Sequence, residues 1–188
     1  MKQFLVLFSL IFASPCYSAW TIHFSNNFSS DSDDVSNFEY SKMDNSLFVG
    51  ASLTGGGQLY LGWTYMMFSR TFKSDDITNE DEVSTTEMGP KFIWYMNEGK
   101  NIFASLNWLP FAKGERKTGG NTEDIDGSAL HFALGYQVKI SRKFMLGASI
   151  GYHSLSINEV VDSSNNQTEP SQSYTSILPM VDFSFHFR

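Results

Sequence analysis

Between residues 130 and 152, bulky apolar positions alternate one for one with small or polar ones. Leu130, Phe132, Leu134, Tyr136, Val138 and Ile140 share one side of the pattern, and Ala129, His131, Ala133, Gly135, Gln137 and Lys139 share the other. After a break at Ser141 and Arg142 the alternation resumes, with Phe144, Leu146, Ala148, Ile150 and Tyr152 set against Met145, Gly147, Ser149, Gly151 and His153. A period of two, interrupted by a break too short for a helix, predicts a β-hairpin. If its turn sets Ile140 opposite Phe144, His131 stands opposite His153. The bulky side carries about five apolar residues per strand, which suits a transmembrane strand of about 9–11 residues. The same alternation predicts strands at residues 19–28, 46–53, 58–72, 83–96, 102–109 and 173–188, giving eight in all.

The connections alternate in length. Thr54-Gly55-Gly56-Gly57, Asn97-Glu98-Gly99-Lys100 and Ser141-Arg142 are short, whereas the polar stretches 29–45, 73–82, 113–126 and 159–172 read as long loops. This is the connectivity of an eight-stranded antiparallel up-and-down transmembrane β-barrel, with both termini at the short-turn rim. Pro90, Pro110 and Pro179 fall within or at the ends of strands that closure leaves without edges. Pro110 can lie at a rim, but Pro90 and Pro179 require a bulge or a local break, because proline has no ladder donor.

The 188 residues suit one domain. Met1 and Lys2, an apolar run at residues 4–13 and the small-residue exit Cys16-Tyr17-Ser18-Ala19 predict a secretory signal at residues 1–18, ahead of a barrel at 19–188. The one cysteine would leave with that signal, so no disulfide and no thiolate chemistry is expected. Net charge is −7, becoming −8 without Lys2, a sign that argues against nucleic acid. Of 20 acids, 17 fall in the four long stretches beside five bases, which puts −12 at that end by subtraction (5 − 17). Solvated loops account for this; the other reading is binding of divalent cations or a partner.

The inward set holds the ionisable and amide residues His23, Arg70, Glu87, Lys91, Asn107, His131, Lys139, His153, Asp182 and His186. Buried charges need partners, and an eight-stranded barrel is narrow enough for side chains to fill. These ten are therefore expected to form a polar plug. Glu87 and Lys91, roughly 13 Å apart along one strand at about 3.3 Å per residue, would join a wider network that includes Arg70. Facing histidines can bind metal, but no third ligand is evident, so no metal or cofactor is expected. His153-Ser154-Leu155-Ser156 does not reproduce a His–x–Ser deacylase arrangement on the lipid face, and no nucleophile, base and orienting group converge. No catalytic residue is assigned.

The signal, the eight amphipathic strands, the alternating connections and the C-terminal Phe183-Ser-Phe185-His-Phe187 resemble small outer-membrane β-barrels of the OmpX, OmpA-barrel and OmpW type. The resemblance implies a Gram-negative outer membrane with periplasmic termini, lipopolysaccharide and membrane lipid as neighbours, and folding by periplasmic chaperones and the barrel assembly machinery. Phe183, Phe185 and Phe187 would then serve as the C-terminal assembly signal. The expected role is that of a monomeric structural or surface-interaction protein. One alternative is an OmpW-like channel for small hydrophobic molecules lined by Met66, Phe68, Phe103, Leu109, Phe111, Leu178 and Met180. A more distant one is a lipid-modifying enzyme.

Overall fold

The computed structural model describes residues 19–33, 38–74, 77–118, 121–161, 166–168 and 172–187. The expected signal at 1–18 and the terminal Arg188 lie outside the described residues. Eight long strands run in chain order: β1 (Trp20–Asp33), β2 (Phe38–Ser52), β3 (Leu59–Ser74), β4 (Ile77–Tyr95), β5 (Ile102–Thr118), β6 (Asn121–Lys139), β7 (Phe144–Val161) and, after the two-residue β8 (Gln167–Thr168), β9 (Gln172–Phe187). Each long strand pairs antiparallel with its neighbour, β6 with β7, β7 with β9 and β9 with β1, so the sheet closes on itself. The expected eight-stranded up-and-down barrel is the observed architecture, with β8 folded back on the end of β7.

Alternation decides which face is which. Leu134, Ile150, Trp94 and Trp108 are exposed on the outside, while Tyr60, Phe48, Lys91 and His153 have almost no exposed surface. Trp20 meets the C-terminal end of β9 at one rim, opposite Phe187, and the Ala19 carbonyl there accepts from the Ser52 N–H of β2. Three turns lie at that rim, and Gly57 there has φ 66°, a left-handed conformation that glycine adopts without strain. In the wall, Gly50 and Gly62 are cross-strand partners, and a Cβ on Gly62 would lie 2.0 Å from the Val49 carbonyl oxygen. The missing side chain of Gly50 leaves room for the Phe48 ring, and that of Gly62 lets the two backbones approach.

Three of the four long loops are a correction; in the fourth, 159–172, only the ends join long strands, at Val161 and Gln172. Strands β3 and β4 continue until Ser74 faces Ile77, and β5 and β6 until Thr118 faces Asn121. Two residues separate the strands at each of those ends, and four separate β1 from β2. These stretches read as loops because they are polar, yet opposite charges face one another across the strands. Lys117 pairs with Glu82 at 3.1 Å, Lys113 with Asp126 at 2.8 Å and Arg116 with Glu123 at 2.5 Å. Such cross-strand pairs favour continuing the ladder outside the apolar belt. The Asp126 carboxylate also holds the exposed Lys113 ammonium above its ordinary range.

The prolines sit where pairing breaks. The β4–β5 register shifts between Met88 and Lys91, and the β5–β6 register between Leu109 and Ala112, a bulge that contains Pro90 and Pro110. This bulge turns Phe111 outward, so Phe111 does not line the interior. Pro179 stays in register with Ile150 on β7, and its accommodation lies on the other side. The β9–β1 ladder runs from Trp20 opposite Phe187 only as far as Asn26 opposite Val181. Beyond it β1 remains paired with β2, and β9 with β7, but not with each other.

Candidate functional site

The lumen is filled in three tiers. At the short-turn rim Phe48, Tyr60, Ile93, Tyr95 and Phe103 form a buried cluster. The Tyr60 and Tyr95 rings meet edge-on at 5.8 Å, and His186 packs against both, at 5.9 and 5.4 Å. Lys100, at φ 58° in its turn, reaches in so that Nζ donates to the Tyr60 hydroxyl at 2.6 Å and lies over both rings. At the opposite end Met66, Phe68, Val83, Leu109, Ile125 and Leu155 belong to a second apolar cluster, with Tyr174 packed on it.

Between them lies a polar belt. Lys91, Asn107, His131 and His153 are successive cross-strand neighbours on β4, β5, β6 and β7. The Asn107 amide lies 3.0 Å from His131 Nδ1, and the His131 and His153 rings are 6.3 Å apart. His153 Nε2 is 2.9 Å from Glu87 Oε2, a contact from β7 to β4 over two intervening strands. Thr85 donates to the other Glu87 oxygen at 2.9 Å. Lys91 lies 5.7 Å from the Phe48 ring centroid. At the closing seam, Asp182 Oδ1 takes His23 Nε2 at 3.0 Å and the Ser25 hydroxyl at 2.6 Å. Ser184 lies 3.3 Å from His23 Nδ1 and donates to Gln137 Oε1 at 2.9 Å. Every one of these bonds is made in a space where an unpaired polar group would be costly.

The ten residues expected in one network therefore divide. His23 and Asp182 form one knot, Glu87 and His153 a second, and Asn107 and His131 a third, while His186 sits in the aromatic tier. Glu87 is joined to His153 and Thr85, not to a group containing Arg70. Arg70 is half-buried toward the other end, over the Tyr40 and Tyr174 rings at 5.7 and 5.9 Å. Lys139 is exposed. It keeps the inward parity but lies at the rim, beyond the lumen, where water solvates it. Phe183 and Phe185 are half-buried on the outer face, Phe183 stacked on Phe144 and Phe185 tilted against it, and Phe187 is exposed.

Sequence reasoning missed Ser25, Lys42, Asp44, Thr85, Gln137 and Ser184 as interior partners. Asp44 is fully buried and Lys42 nearly so, though both fall in a stretch read as loop. Continuing the parity of Phe48 and Ser46 back along β2 points to both. Ser184, His23 and Asp182 form a serine–histidine–carboxylate chain, but the serine proton goes to Gln137, and all three residues have no exposed surface. A nucleophile needs its proton aimed at the base and a reachable oxygen. Among the described residues no three His, Cys, Asp or Glu side chains are grouped to hold a metal ion.

No family model matches this chain, and no curated protein does. Among solved structures, the β domain of the Bordetella autotransporter BrkA is similar at 9% identity, over 91% of this chain and 98% of that one, with a TM-score of 0.42. The translocator domain of the autotransporter NalP from Neisseria meningitidis is similar at 8% identity, over 100% of this chain and 94% of that one, with a TM-score of 0.37. The narrower resemblance to the OmpX, OmpA-barrel and OmpW type finds no support in these comparisons.

Proposed function

We propose that this chain is an outer-membrane barrel closed along its axis, a structural or surface-interaction protein rather than a pore or an enzyme. One observation carries the reading: the apolar residues are outside, and the lumen behind them is occupied by two apolar tiers with a hydrogen-bonded belt between. A lipid-facing exterior explains exposed Trp94, Trp108, Phe132 and Ile150 on one molecule, since such a surface in water would drive aggregation. The contact from Glu87 on β4 to His153 on β7, over two intervening strands, supports a closed lumen. In this reading both termini face the periplasm, chaperones and the assembly machinery deliver the chain as a monomer, and the charged strand extensions stand among lipopolysaccharide, where divalent cations can bridge carboxylates. Passage of small hydrophobic compounds draws support from the apolar tier of Met66, Phe68 and Leu109, but the belt beneath blocks a straight route.

Two measurements test the proposal. Protein folded into lipid vesicles should migrate faster on gels before boiling than after, and planar bilayers containing it should show no discrete conductance steps. Steady openings would overturn the closed lumen, and recovery of a soluble monomer with no change of mobility on heating would overturn the membrane reading.

A further inference from the structure

The ladder between β1 and β9 is only half zipped, and the split is chemically finished rather than ragged. In an extended strand the N–H and C=O of one residue point to the same side. The Asn27 side-chain amide donates to the Pro179 carbonyl, so Pro179 faces β1 and its missing N–H falls on the open side. Lys42 Nζ, from β2, donates to the Ile177 carbonyl at 3.0 Å. Two β9 carbonyls are thus capped by side chains, and a donor is absent between them. An incoming peptide strand needs free N–H and C=O groups on the edge it joins, so this edge is blunted against one.

What borders the split is apolar. Phe28 and Ile177 stand outside it with 74% and 67% of their surface exposed, and Leu178 and Met180 are buried behind it on the inner side. Behind them Tyr174 packs on the upper apolar cluster. At the head of the slot Lys42 is the cross-strand neighbour of Arg70, an arrangement of like charges that is unfavourable by itself. Among the described residues Asp44, two along on the same face, opposes that repulsion at Lys42, and no carboxylate forms an ion pair with Arg70.

We infer that the split between β1 and β9 is a lateral binding slot for one acyl chain of a single-chain anionic amphiphile, whose headgroup is held by Lys42 and Arg70. The chain lies between Phe28 and Ile177 and against Leu178 and Met180, so access is from the bilayer side and not along the axis. The inference rests on the membrane reading above, but not on whether the lumen conducts.

Oleate is the probe, and oleyl alcohol its uncharged counterpart, added to the full barrel in non-ionic micelles and read by native mass spectrometry. The expected result is one oleate per barrel, with oleyl alcohol roughly tenfold weaker, and roughly tenfold loss of oleate in Lys42→Gln/Arg70→Gln. Continuing the register puts Asn27 opposite Met180, so Asn27→Cys/Met180→Cys staples the slot shut. Oxidation should abolish oleate binding and reduction restore it; Ser29→Cys/Leu178→Cys is the second staple if the first does not fold. Equal binding to oxidised and reduced protein would overturn the slot, as would several oleates bound without regard to the staple. Equal affinity for oleate and oleyl alcohol would overturn the headgroup site, and capture of an extended peptide in place of oleate would overturn the occupant. Heat-modifiable migration of each sample reports barrel formation separately, so failure of the membrane reading is distinguishable from failure of the slot.

Discussion

The contact of Glu87 with His153 shows what a single buried residue controls. Both side chains have no exposed surface, and the second Glu87 oxygen is satisfied by Thr85. Glu87→Ala strands a buried imidazole and a hydroxyl, and removal of one partner from such a pair costs about 3–5 kcal/mol. Replacing both partners by leucine should recover most of that loss, because an apolar pair of similar volume is often neutral. Urea unfolding from vesicles of the single and double variants checks this, and equal losses in both would sink it. The inward orientation of Glu87 and His153 is legible from period-two alternation alone. Their partnership is not, because it depends on the tilt of the strands around the ring, which parity does not encode. Asp44 was hidden for a different reason: polarity made its segment look like a loop.

Strand length and strand pairing were legible to different degrees. The apolar stretches mark where each strand lies within the belt, but β4 and β6 run to 19 residues each, well past their last outward apolar residues, Met88 and Leu130. The ion pairs that extend them cannot be seen until the register is known. Their individual worth is small: Lys117 and Glu82 are both part-exposed, and Lys117→Ala should change the unfolding free energy by less than about 1 kcal/mol. Pro179 read as a defect in β9, and its place at the half-closed seam makes it benign. Pro179→Ala adds an N–H that faces no paired strand, so stability should move by under about 1 kcal/mol in either direction. Hydrogen exchange offers a second readout: amides at residues 28–33 that face β9 should exchange faster than their neighbours that face β2. Uniform protection along β1 would mean that the seam is zipped.

At the scale of the whole molecule, closure of the sheet turns eight marginal amphipathic strands into one object with an apolar outside and an occupied inside. The aromatic floor, the polar belt and the apolar upper tier each occupy the lumen at a different height. Among the described residues the longest interruption of pairing lies in the wall, between β1 and β9. Strand count, orientation and the shared rim of the ends are all consequences of alternation and turn spacing. The interruption is not, because it is a property of two strands far apart in the chain, β1 and β9.

The paired extensions also fix the outline of the outer half. In the proposed membrane reading, crossing the hydrocarbon takes about ten residues of a tilted strand, so the remaining half of β6 would stand roughly 20 Å clear of it. It does so as a stiff ribbon braced by its neighbour, not as a tether. In that reading a partner approaching from the medium meets braced strands with charged flanks, and must fit that outline instead of being wrapped by it.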